Sequence, residues 1–133
     1  MKEISVDEFR ALKGQKVAVV SKYRAQPQVY QGHRYASKAE LAFKMHLDLF
    51  KANGVVLWYL FQVPIHLPAG EGVKGTRYVM DFLVMMKSGT VRGVDVKGKD
   101  TYASKIKRSV ASSVVPFPIE TVTRQRNGSF LWP

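Results

Sequence analysis

Arg77-Tyr78-Val79-Met80-Asp81-Phe82-Leu83-Val84-Met85-Met86, then Lys87-Ser88-Gly89, then Thr90-Val91-Arg92-Gly93-Val94-Asp95-Val96-Lys97 reads as two apolar strands joined by a tight turn. One aspartate sits inside each strand. A carboxylate in such a run is expensive to bury unless it is paired, hydrogen-bonded or bound to a cation. The register of the hairpin settles whether the two acids can meet. A two-residue turn at Ser88-Gly89 sets Asp81 opposite Val96, on the wrong face. A three-residue loop, Lys87-Ser88-Gly89 with Gly89 left-handed, pairs Met86 with Thr90 and sets Asp81 opposite Asp95. It also sets Leu83 opposite Gly93, Val79 opposite Lys97, Met80 opposite Val96 and Phe82 opposite Val94. We expect this second register.

The rest of the chain builds outward from that hairpin. Ser37-Lys38-Ala39-Glu40 fits a capping box, and Ala39, Phe43, Leu47 and Phe50 follow at helical spacing until Asn53-Gly54 stops the helix. Val55–Gln62 reads as a buried strand that Pro64 breaks or places at an edge. Residues 67–76 are a Gly- and Pro-rich loop. Ser104–Val115 has Ile106, Val110 and Val114 on one side and Lys105, Lys107 and Arg108 away from it, so it is an amphipathic helix that Pro116 ends. Ile119–Thr123 is a last short strand. The order α-β-β-β-α-β gives an α/β sandwich with an antiparallel hairpin and a crossover to a parallel final strand. Residues 1–21 form an N-terminal extension, with a short helix over 6–12 and a strand over 16–20. Residues 21–36 form a basic surface arm with a turn at Gln31-Gly32, and 22–133 form one domain.

Composition narrows the function. Among 133 residues, Lys and Arg number 21 against 10 acids, for a net charge of +11. Nucleic acid is the usual partner of so basic a domain; a ribosome-like binder or a membrane-surface binder are the rival readings. No cysteine is present, which excludes disulfides, thiolate zinc sites and cysteine nucleophiles. No apolar run is long enough for a membrane helix, and the acidic, amphipathic start does not suit a signal peptide, so a cytoplasmic protein is expected.

Asp95 and Lys97 are two apart on a strand and share a face. Two carboxylates meeting there suit a hard divalent cation, with the Val96 carbonyl as a further oxygen ligand and Mg²⁺ as the ion that needs fewest protein ligands. Lys97 is then placed to orient water and to stabilise charge growing on a phosphate. A carboxylate-x-Lys triplet is expected about once by chance in such a chain, so the triplet alone reads equally as a strand salt bridge. In that reading Asp95 pairs with Lys97 or Arg92, and Asp81 with a nearby arginine. The wider arrangement carries the catalytic reading: Asp81 and Asp95-Val96-Lys97 on adjoining strands, after a helix bearing Glu40 and before a basic helix.

The pattern Asp81…Asp95-x-Lys97 resembles the PD-(D/E)XK nuclease core, a restriction-endonuclease-like α/β fold of order α-β-β-β-α-β with a mixed sheet flanked by helices. More narrowly, Lys22-Tyr23, Gly32-His33-Arg34-Tyr35-Ala36-Ser37-Lys38-Ala39-Glu40, Gln62-x-Pro64, Tyr78-x-x-Asp81-Phe82 and Asp95-Val96-Lys97-Gly98 resemble a phage family of small PD-(D/E)XK proteins. That family was long described only as a domain of unknown function and is related to Holliday-junction resolvase-like endonucleases. The resemblance covers about residues 22–123; Met80 stands where the motif's proline would. It implies Asp81 and Asp95 as metal ligands, Lys97 as catalytic lysine, Glu40 as a further ligand or water-activating carboxylate, and Mg²⁺ or Mn²⁺ as cofactor. Ser37 and Lys38 would meet the phosphate backbone, with Lys99 a fainter candidate. Lys22, Arg24, Arg34, Lys105, Lys107 and Arg108 complete the expected DNA-contacting set. The implied partner is branched DNA cut symmetrically, hence a homodimer, in a bacterial host's cytoplasm and with no nucleotide cofactor.

Two other function classes stay open at this point. One is a non-catalytic nucleic-acid-binding protein whose acids are salt-bridged; the other is a nuclease for flaps, invading DNA or RNA. Tyr23, Tyr30 and Tyr35 are candidates for stacking on unpaired bases. Trp58 and Tyr59 are assigned to a buried strand, His46 to a packed helix, and Met80, Met85 and Met86 to the core. Phe130-Leu131-Trp132 either packs down or forms a dimer contact.

Overall fold

The computed structural model describes residues 27–72, 74–98 and 100–133. The expected helix over 6–12, the strand over 16–20, Lys22, Tyr23, Arg24 and Lys99 lie outside them. Residues up to Met45 form one unit and His46–Pro133 a second.

In the first unit β1 (Gln28–Tyr30) and β2 (His33–Tyr35) pair antiparallel. The loop between them is Gln31-Gly32, with φ of +50° and +78°, the positive values that a two-residue hairpin loop requires. The described part of the basic arm is therefore a hairpin about the expected turn. Tyr35 is buried, so it cannot serve as an exposed stacking platform. Helix α1 (Lys38–Ala52) begins where the capping box sets it: the Glu40 N–H donates to Ser37 Oγ at 3.1 Å. It ends at Gly54, whose φ of +77° a side chain would resist.

The second unit carries a four-stranded sheet in the order β3-β4-β5-β6: β3 (Val56–Leu67), β4 (Thr76–Met86), β5 (Val91–Val96) and β6 (Ile119–Val122). β3–β4 and β4–β5 are antiparallel and β5–β6 parallel, the last reached through helix α2 (Tyr102–Val114). The molecule is thus α/β, with a mixed sheet flanked by helices. β3 does not stop at Pro64, because it is an edge strand with only one partner and the missing N–H costs no ladder bond. For the same reason it is not buried as expected: Leu57, Trp58 and Leu60 are each at least 40% exposed.

The hairpin register is the expected one. Gly89 has φ +91°, the Met86 N–H donates to the Thr90 carbonyl at 2.9 Å, and Phe82 pairs with Val94 and Leu83 with Gly93. A Cβ at Gly93 would clash with the Met80 sulfur and lie 3.3 Å from Ile119 and Phe117, so a side chain there would force Met80 to shift. Leu67, Tyr78, Met80 and Ala111 form a core cluster with Val63, Ile65, Phe117 and Ile119 packed on it. Each large apolar side chain so buried contributes roughly 1.5–3 kcal/mol. On α2 only Ala111 is buried; Ile106, Val110 and Val114 are 36–47% exposed, so the apolar side of this helix is not the packed face its spacing indicates.

The C-terminal segment packs down. His46 hydrogen-bonds the Trp132 carbonyl at 3.0 Å and stacks edge-on against Phe50. Arg92 forms a bidentate pair with Glu120 while its guanidinium lies 4.6 Å from the Trp132 ring centre. Of Phe130, Leu131 and Trp132, only Leu131 is exposed. No described helix is long and apolar enough to cross a membrane.

Candidate active site

The β4–β5 ladder ends at Phe82–Val94. Beyond that pair the expected partners Met80–Val96 and Val79–Lys97 do not form, because the two aspartates take over the hydrogen bonding. The Asp81 N–H donates to Asp95 Oδ1 at 3.0 Å, and the Val96 N–H donates to Asp81 Oδ2 at 2.8 Å. Each carboxylate thus satisfies a backbone donor of the other strand, which fixes both side chains on rigid β-structure. β6 holds the far side: Asp95 pairs with Thr121, and the Lys97 N–H donates to the Val122 carbonyl at 2.9 Å.

This reciprocal lock leaves one oxygen over. Asp95 is 1% exposed, and its Oδ2 has no hydrogen-bond partner. The nearest cation is the Lys97 ammonium at 3.6 Å, an ion pair longer than a hydrogen bond. Burial raises the Asp95 carboxyl above the usual aspartate range, against the opposing pull of the Asp81 N–H, Lys97 and Arg108. Asp81 is raised for the same first reason, opposed by the Val96 N–H, Lys97 and a hydrogen bond from the Gln62 side chain. The two carboxyls, raised toward protonation by burial and with Asp95 Oδ2 met only by the Lys97 ammonium at 3.6 Å, offer hard oxygen donors. The donor set fits Mg²⁺ or Mn²⁺.

Of the pairings that the salt-bridge reading expects, Asp95–Lys97 is present at 3.6 Å. Arg92 is instead committed to Glu120, and Asp81 accepts from a backbone N–H. Arg108 reaches Asp100 through two bonds, 3.1 and 2.6 Å, which holds the Asp100 carboxyl below its ordinary range. Arg108, expected among the nucleic-acid contacts, is thus ion-paired with Asp100 in the structure. Lys105 and Lys107 are exposed on α2, and Arg34 and Lys38 are exposed in the first unit. Ser37 serves as the cap of α1. Glu40 is buried, with its backbone N–H on that cap. Among the described residues no group of three or more His, Asp or Glu is assembled for a metal.

A family model matches residues 20–115. The chain belongs to the DUF1064 family, described as proteins of unknown function. The DUF1064 segment holds Glu40, Asp81, Asp95 and Lys97, and with them every cation expected to face nucleic acid. No curated protein and no solved structure matches the chain.

One residue of the site carries no role that the sequence alone assigns. Gln62, on β3, bonds the Asp81 carboxyl. Its signal was a lone amide in the apolar run Val55–Val63, legible as functional only once β3 is known to pair with β4.

Proposed function

We propose that this DUF1064 protein is a metal-dependent endonuclease of the PD-(D/E)XK type, hydrolysing phosphodiester bonds in DNA, branched DNA above all, as a homodimer in a bacterial cytoplasm. The observation that carries the reading is the buried, hydrogen-bond-free Oδ2 of Asp95 beside Lys97, on strands that lock Asp81 and Asp95 together. Asp81, Asp95 and the Val96 carbonyl would hold Mg²⁺ or Mn²⁺. Such an ion, when bound, lowers the pKa of water and neutralises phosphate charge.

The chain's own residues do the rest. The two carboxylates are immobilised by backbone N–H groups, so they need not reorganise when charge develops. Lys97, partly exposed just past the end of β5, offers its ammonium to the phosphate oxygens and to the attacking water. Water adds to phosphorus as the P–O3′ bond breaks, and its proton passes to solvent while the leaving oxygen takes one up. The products are a 5′-phosphate and a 3′-hydroxyl. Exposed Arg34, Lys38, Lys105 and Lys107, together with Lys22, Arg24 and Lys99, supply cations for the phosphate backbone.

The test compares a four-way junction, a flap, linear duplex and single strand, each with Mg²⁺ and with chelator. Mg²⁺-dependent nicking of the junction ahead of the others is expected. Binding of every substrate with no nick under any condition would replace this reading with the non-catalytic one.

Glu40 tests its own extent of involvement. The cap bond uses its backbone N–H, which Glu40→Gln retains. The variant is expected to melt like the parent and to cut roughly 10- to 100-fold more slowly at limiting Mg²⁺, the cost typical of losing a supporting carboxylate. A normal rate and a normal Mg²⁺ requirement remove Glu40 from the site.

A further inference from the structure

Gln62 lies in the middle of β3 with φ +55°, in the left-handed region that non-glycine residues seldom enter. Its neighbours pair without interruption of register: Phe61 with Phe82 and Val63 with Met80. A β-bulge, the usual reason for such a residue in a strand, inserts a position and shifts the register. No shift occurs here, so the unfavourable backbone serves something local. Register sets Gln62 opposite Asp81, and the β3–β4 ladder skips that position. Gln62 is exposed, so core packing does not impose its conformation. What its side chain does make is the hydrogen bond to the Asp81 carboxyl. Strain kept at one residue beside a candidate site is grounds for a functional role.

We propose that Gln62 is the positioning residue of the aspartate pair: its amide holds the Asp81 carboxylate turned toward β5, where Oδ2 takes the Val96 N–H and the acidic centre is assembled before any ion arrives. The amide's N–H is the donor and an Asp81 carboxylate oxygen the acceptor. The two carboxylates depend on one another through the reciprocal bonds to Val96 and Asp81 N–H groups. Releasing Asp81 therefore also loosens the strand that presents Asp95 and Lys97. This role rests on the nuclease reading only for its catalytic consequence.

Two variants separate the amide from the backbone. Gln62→Met keeps the side-chain length but loses the donor; Gln62→Gly loses the donor and removes the cost of a positive φ. Hydrogen exchange at the Val96 N–H, measured by NMR relative to Val94 in the same strand, reports the Asp81 bond directly. Mn²⁺ alone, titrated calorimetrically, reports the assembled centre. Both variants are expected to exchange Val96 about tenfold faster than the parent relative to Val94, at a melting temperature within a few degrees of it. Both are expected to bind Mn²⁺ about tenfold more weakly, the lower end of what a supporting shell contributes. Unchanged Val96 protection in either variant overturns the assignment, and so does unchanged Mn²⁺ affinity in a parent that binds Mn²⁺. If the parent binds no Mn²⁺ and cuts no DNA while Val96 exchange still responds, the nuclease reading falls alone and the hold of Gln62 on Asp81 stands.

Discussion

Asp95→Asn is expected to abolish cleavage, to leave junction binding intact or tighter, and to raise the melting temperature at neutral pH. Loss of activity alone is common; the combination is not. Asparagine keeps an Oδ1 to accept the Asp81 N–H, so the strand lock survives. What disappears is the charge on a side chain that is 1% exposed and whose Oδ2 finds no hydrogen bond. A cation that contributes several kcal/mol of charge stabilisation corresponds, at about 1.4 kcal/mol per tenfold, to a rate loss of roughly a thousandfold or more when its ligand is neutralised. Binding strengthens because one repulsion toward phosphate is gone. Retained cleavage in this variant would return the aspartates to a structural role.

The stability gain has a definite pH signature. Asp81 and Asp95 have folded-state pKa values raised above the unfolded ones, with burial as the first cause. The folded state then binds more protons than the unfolded chain across the window from the ordinary aspartate value up to the raised one. Stability falls as pH rises through that window, and the full penalty is present above it. Below the ordinary value both states are protonated and the penalty vanishes. The advantage of Asp95→Asn over the parent should therefore be largest at neutral pH and disappear in acid. Mg²⁺ offsets the same penalty, so it should raise the melting temperature of the parent at pH 7 and do little for the variant. Thermal melts at several pH values, with and without Mg²⁺, check all three signs.

How far the sequence could be read follows from where each decision is made physically. The start of α1 and the hairpin register were legible because a few adjacent residues settle them: Ser37 as a cap, Gly54 as a stop, Gly89 as the left-handed third residue of a loop. That register put Asp81 opposite Asp95, and the site's two acids followed from it. Strand order is not a local property. The run Val55–Phe61 has the apolar continuity of a buried strand, yet β3 lies at the sheet edge with Leu57 and Leu60 exposed. The stripe Ile106, Val110 and Val114 has helical spacing and still faces solvent, since burial depends on what the fold sets against it. β1 and β2 were missed because Gln28-Val29-Tyr30 and His33-Arg34-Tyr35 are too short and too polar for a period-two pattern, although their turn was visible. Replacement of backbone pairing by carboxylates beyond Phe82–Val94, and the inverted φ of Gln62, arise only when three strands meet.

Lys97→Ala distinguishes the parts of the site, and it is expected to stop cleavage while sparing metal uptake. The lysine ammonium stands 3.6 Å from Asp95 Oδ2, close enough to share its charge but beyond a hydrogen bond. Its backbone is held independently, through the bond from its N–H to the Val122 carbonyl, so truncating the side chain leaves β5 in place. Removal of a fixed positive group from a developing phosphate charge costs about 10²–10³ in rate by analogy with oxyanion-stabilising donors. The same change takes a competing cation away from Asp95, so Mn²⁺ should bind Lys97→Ala as tightly as the parent or tighter. Asp95→Asn is expected to lose both cutting and Mn²⁺ binding, and Lys97→Ala only the first. If Lys97→Ala cut at the parent's rate, its ammonium would be no more than the counter-ion of a buried aspartate. If it lost Mn²⁺ binding together with activity, the lysine would be organising the carboxylates rather than acting on the phosphate.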